Sequence, residues 1–127
     1  MELEKYFNDN FGTGVLATAN AEGQVNTAVF SRPHITEDGK MVFIMGDKKT
    51  HANLKDNPRA SFLFIEEGQG YKGKRFYLTM TAEEENDELV NRLCRRCREV
   101  KDTMAMETRH VVYFGIDREL PLIGSGS

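Results

Sequence analysis

The sequence has no basic excess, no long apolar run and only two cysteines, and each shortage removes a class of function. With a formal net charge of -3 and charged residues of both signs, nothing rewards contact with a phosphate polymer, so nucleic acid is not an expected partner. No apolar run approaches the ~20 residues needed to cross a bilayer. The opening Met1-Glu2-Leu3-Glu4-Lys5 lacks the basic start and apolar centre of a signal peptide, so a cytoplasmic location and no membrane partner are expected. In that reducing compartment Cys94 and Cys97 read as thiols rather than as a structural disulfide. Also missing are a Gly-x-Ser-x-Gly elbow, a Walker-type phosphate loop and a dinucleotide Gly-x-Gly-x-x-Gly, which leaves hydrolase and kinase readings without support.

What is present is one domain's worth of core. A chain of 127 residues that is 39% hydrophobic buries one core comfortably and not two. The expected domain spans residues 3–116, with 117–127 as a tail whose last four residues, Gly124 to Ser127, have no anchoring side chain.

Leu3, Tyr6, Phe7 and Phe11 recur at helical spacing before Gly12, predicting a short N-terminal helix. Gly14–Ala19 and Val25–Phe30 flank the turn Asn20-Ala21-Glu22-Gly23 and predict a hairpin. The Asp38-Gly39 turn leads into Met41–Met45, expected as the third strand of a meander. A short helix from Lys48 is ended by Asn57-Pro58, because the residue before proline avoids helical geometry. Strands are expected over Ala60–Ile65, Arg75–Thr81 and His110–Ile116. Between the last two, Leu89, Val90, Leu93, Cys97 and Val100 form one stripe, predicting a long helix near residues 83–101 that covers a sheet. Six short strands and one substantial helix favour a mainly β fold, an antiparallel barrel or sandwich.

Lys48-Lys49-Thr50 sits just after a strand and at the start of a helix. Charge, a hydroxyl donor and free helix N–H groups there suit a phosphate monoester; a solvated turn is the plain alternative. Asn26 and Thr27 in mid-strand either face something polar or lie on a solvent face. Tyr71 to Arg75 is a basic loop that can also touch a phosphate or a second substrate. Cys94-Arg95-Arg96-Cys97 has a redox dithiol's spacing but lies within a helix, where Cys97 continues the apolar stripe, so core packing is favoured over thiol chemistry. His34, His51 and His110 show no i, i+4 pairing, and no metal site is expected.

Val25-Asn26-Thr27-Ala28, Phe43-Ile44-Met45-Gly46, Lys49-Thr50-His51-Ala52-Asn53-Leu54 and Asp56-Asn57-Pro58, in this order and spacing, resemble the FMN-binding split β-barrels related to pyridoxamine 5'-phosphate oxidase. The resemblance covers most of residues 3 to 116. It implies a six-stranded antiparallel split barrel with flavin-ring contacts at Asn26, Thr27, Ala28, Ile44 and Met45. It also implies phosphate contacts at Lys49 and Thr50, with His51 near the phosphate. A homodimer with FMN at the subunit interface is implied too, in keeping with how little of a tricyclic ring so small a chain can wrap. The chain is shorter than the oxidases proper and lacks their arginine-rich C-terminal segment, so vitamin oxidation is not expected. The resulting expectation is an FMN-dependent oxidoreductase or flavin electron carrier. Its rivals are a non-catalytic flavin store or sensor, a binder of heme or a deazaflavin, and a flavin-free dimeric interaction module.

Overall fold

A computed structural model of the chain describes residues 2–46, 48–93 and 109–124. Helix α1 (Glu2–Asp9) turns Phe7 fully into the core. Strands β1 (Gly12–Ala19) and β2 (Val25–Phe30) form the expected hairpin. Its turn is held by Asn20 Oδ1, which accepts from the N–H groups of Glu22 and Gln24. Gly23, at φ 83°, takes the left-handed conformation there that favours glycine. A two-residue strand, β3 (His34–Ile35), pairs with β4 (Met41–Gly46) around the Asp38-Gly39 turn. Helix α2 (Lys49–Asp56) ends where Asn57 turns extended ahead of Pro58. Strands β5 (Arg59–Glu66) and β6 (Gly73–Glu84), helix α3 (Asp87–Leu93) and strand β7 (Arg109–Pro121) complete the described chain.

All seven strands join one antiparallel sheet in the order β2-β1-β5-β6-β7-β4-β3. The sheet curls until its edges approach: the Phe30 ring of β2 lies 5.6 Å from the Phe43 ring of β4, although the two strands share no ladder. Helix α2 packs on β1, β2 and β4 and so bridges the gap. Among the described residues the fold is therefore a mainly β, curled half-barrel with three helices.

Four details depart from the sequence reading. Among the described residues the strands number seven, not six, because β3 forms after Pro33. Met41–Gly46 does not extend the first hairpin. It pairs with β7 and β3, and burial of Met41, Val42, Phe43 and Met45 suits a strand covered on both faces. The helix expected near 83–101 starts later: Glu83 and Glu84 pair with Val112 and Val111 as the end of β6. Asn86 Oδ1 then accepts from the Leu89 N–H at 3.0 Å, and the acidic first turn is Asp87 and Glu88. Residues 94–101 of the expected span, with Cys94 and Cys97, lie outside the described residues. Finally, β7 runs past Ile116 to Pro121 and buries Leu120, so residues 118–121, expected in the tail, pair with β6.

The main core gathers Phe7, Phe43, Phe62, Phe64, Phe76 and Phe114 inside the curl. A smaller cluster of Val42, Val90 and Val111, with Ile44 and Tyr113, lies on the sheet's outer side beneath α3.

Candidate functional site

Polar side chains belong in water unless something pairs them, yet Thr18, Thr50, His51, Asn53 and His110 are all buried. Three of them belong to α2, and the other two meet its partners. Asn53 Nδ2 donates to Thr18 Oγ1 at 3.1 Å. Thr18 stands opposite Asn26 across the β1–β2 ladder, and Asn26 Nδ2 donates to Thr50 Oγ1 at a long 3.5 Å. Helix α2 is thus seated over the split by side-chain hydrogen bonds rather than by grease alone. Asn53→Ala should strip the Thr18 hydroxyl of this partner and cost about 1–3 kcal/mol, read as a lowered midpoint in urea. An unchanged midpoint would show that the seating is made elsewhere.

The first turn of α2 gathers cationic side chains, a hydroxyl and helix N–H groups, a chemistry that suits an anion. Its N-cap, Lys48, is extended and makes no side-chain capping bond, so the N–H groups that a helix leaves outside its own ladder are served by no capping side chain of that residue. Lys48 and Lys49 are exposed at this end. Thr50, only 4% exposed, accepts from Asn26 and retains its own hydroxyl proton to donate. The expected phosphate residues Lys49 and Thr50 and the strand residue Asn26 therefore meet in one place.

The other expected residues divide by face. Along β2, Asn26 and Ala28 are half-buried on one face, and Thr27 is exposed on the other beside Val25 and Val29. Along β4, Met45 points into the main core, and Ile44 packs against α3's cluster on the opposite side. A strand turns successive side chains to opposite faces, so Asn26 and Ala28, with Phe30, share the inner face to which Met45 also belongs, and Thr27 and Ile44 lie on the outer face.

Sequence reasoning missed a cluster directly behind the lysines. His51 Nε2 lies 2.7 Å from Glu83 Oε2, and His110 Nδ1 lies 3.3 Å from the same oxygen. The two imidazoles stack with centroids 3.8 Å apart and planes 8° apart. No i, i+4 spacing announces this trio, because the topology assembles it from α2, β6 and β7. The available signal was a histidine and an asparagine on the inner face of an amphipathic helix. His34 takes no part; its Nε2 contacts the Leu93 carbonyl at 2.6 Å.

Tyr71 to Arg75 also stands apart. Tyr71 is exposed, Lys74 pairs with Glu119 at 2.8 Å, and Arg75 donates to the carbonyls of Pro121 and Gly124. A groove of about 570 Å³, lined in part by Phe11, Gly14, Phe30 and Arg32, opens at the far end of the β1–β2 hairpin from Asn26.

No curated protein matches the sequence. An FMN-binding protein from Syntrophomonas wolfei is similar in structure, with a TM-score of 0.74 at 24% identity over 98% of this chain and 88% of that one. General Stress Protein 26 from Bacillus anthracis gives a TM-score of 0.69 at 16% identity over 94% and 91%. HupZ from Group A Streptococcus gives 0.67 at 18% over 95% and 91%. These identities speak for a common fold alone. The sequence itself matches the pyridoxamine 5'-phosphate oxidase family model over residues 2–118, nearly the full length of the described sheet, and the chain belongs to that family.

Proposed function

We propose that the chain is a cytoplasmic FMN-binding protein, working as a homodimer in oxidoreduction or electron transfer. The observation that carries the reading is the start of α2, where Lys48, Lys49, Thr50 and Asn26 surround a helix end whose N-cap residue makes no side-chain capping bond. A phosphate monoester with a flat, extended body fits that place: its charge meets the lysines and helix N–H groups, and its body continues along the split between β2 and β4. Family membership and the FMN-binding protein among the structural neighbours support the choice of flavin.

Bound FMN would supply one- or two-electron redox chemistry. In this reading the chain binds and orients it. The Lys49 ammonium and the first-turn N–H groups hold the phosphate, and Thr50 donates its hydroxyl proton to it. Asn26 and Ala28 offer one half-buried strand face to the ring, and the backbones of Thr27, Ile44 and Met45 border it.

A second copy of the chain supplies the missing wall. On the outward face of the sheet, Val25 and Val29 of edge strand β2 are 73% and 63% exposed. Val29 stands opposite Val15, and Val15 opposite Leu63. Exposed Ile65 and Tyr77 extend the same face. An apolar face reaching a free sheet edge is the kind of surface that self-association covers.

The test is an absorption spectrum of purified protein before and after adding FMN, with titration and a mass from light scattering. Flavin bands at one FMN per chain and twice the chain mass are expected. A protein that ignores FMN would sink the flavin reading, heme bands would replace it, and a monomeric mass with FMN bound would remove only the dimer.

A further inference from the structure

We propose that His51, Glu83 and His110 form a binding site for one divalent transition-metal ion of the zinc class. The site is distinct from the phosphate-binding turn and independent of whether flavin binds there.

The donor set is the first argument. Two imidazole nitrogens and one carboxylate are ligands of zinc, and three protein donors leave a fourth position open. Spacing is the second. The three candidate donor atoms all lie within 4.8 Å of one another. A tetrahedral centre with bonds of about 2.0–2.2 Å holds its donors about 3.3–3.5 Å apart. The 3.3 Å between His110 Nδ1 and Glu83 Oε2 already meets that spacing, and the 2.7 Å from His51 Nε2 requires the carboxylate to draw back slightly.

Placement is the third argument. The histidine side chains are 3% and 7% exposed, whereas Glu83 is 31% exposed. The imidazoles thus form the dry floor and the carboxylate the entrance. Glu85 Oε1, 3.8 Å from His110 Nδ1, adds a second oxygen and negative charge at the same mouth. Each ligand stands on a separate element: α2, the end of β6, and β7. The last two are locked together by the ladder that pairs Glu83 with Val112.

Loading also requires a ring to turn. The rings are nearly parallel and 3.8 Å apart, and one ion cannot lie in both planes. One imidazole must therefore turn about its Cβ–Cγ bond, and each coordinating nitrogen must present its lone pair rather than a proton to the site. Metal thus competes with protons for the same two nitrogens. The competing account is a metal-free hydrogen-bonded trio that merely pins α2 to the sheet, and the two differ in what they predict for added metal.

The experiment uses full-length, metal-free and FMN-free protein titrated with Co²⁺, then displaced with Zn²⁺. One ion per chain is expected, with the visible bands of a low-coordinate nitrogen/oxygen site and no thiolate charge transfer. Cys94→Ser with Cys97→Ser should leave this binding intact. Outer-shell partners of a metal site are worth about 10–100-fold in affinity, so Glu83→Gln, which removes a direct ligand, should weaken Zn²⁺ by more than about tenfold. His110→Gln should do the same. Zn²⁺ should raise the melting temperature of wild type and not of Glu83→Gln, whose own cooperative melt is the check that it folds. No stoichiometric binding at micromolar metal would overturn the site. So would equal affinity in Glu83→Gln, or binding that disappears only with the cysteines.

Discussion

Phe62→Ala is expected to lower the stability of the fold by about 3–5 kcal/mol, the range for emptying an aromatic site in a packed core. Phe62 is fully buried, and its ring meets those of Phe7, Phe43, Phe64 and Phe76, the nearest at 4.9 Å. These partners come from α1, β4, β5 and β6, so a single vacancy loosens four elements at once. The ring also lies over Gly14, where a Cβ would stand 2.6 Å from its edge. β1 therefore comes close because no side chain intervenes. Neighbours that approach this way cannot collapse far into the hole without breaking the β1–β5 ladder, so the cost should sit in the upper part of the range. Tyr71→Ala, at a position 80% exposed, should shift the same urea midpoint by no more than about 0.5 kcal/mol. Equal midpoints for the two variants would mean that the aromatic cluster is not what holds the curl.

The parts of this fold that were legible in the sequence are those fixed by local chemistry. The turn at Asn20 to Gly23 needs a side-chain acceptor and a left-handed glycine, and both residue types advertise themselves. The end of α2 at Asn57 follows from one proline. What the sequence did not reveal depends on distant partners. Met41–Gly46 carries nothing that distinguishes a third strand of a meander from a strand paired with β7, since both need apolar residues; the pairing is decided by the return of β7 63–73 residues later. Glu83 and Glu84 have the character of a helix start, yet β7 claims them as strand, a case of tertiary pairing overriding local preference. The candidate site divides in the same way. Lys49 and Thr50 were visible because a helix start after a strand is a local feature. The Glu83 link between His51 and His110 was invisible because its members are 32 and 27 residues apart and only the curl of the sheet makes them neighbours.

Lys49→Ala is expected to weaken FMN binding by about ten- to a hundredfold, since a hydrogen bond to a charged partner contributes about 1.5–3 kcal/mol. The side chain is exposed and lies at the helix start, so its loss should leave the melting curve unchanged. Thr50 needs a more careful substitution, because its buried oxygen also accepts from Asn26. Thr50→Ala removes both roles and should weaken FMN further while lowering stability; Thr50→Ser keeps the hydroxyl and should restore most of the affinity. Salt separates charge from shape. Attraction between exposed ions is screened within about 10 Å at 0.1 M salt, so wild-type affinity should fall as salt rises, and the Lys49→Ala protein should show a shallower slope. Riboflavin, which has the ring without the phosphate, should bind both proteins equally. If Lys49→Ala binds FMN as tightly as wild type and with the same salt slope, the phosphate is not held at the start of α2, and the flavin must be sought elsewhere on the sheet. If FMN affinity falls and riboflavin affinity falls equally, the lysine acts on the ring's seat instead of on the phosphate.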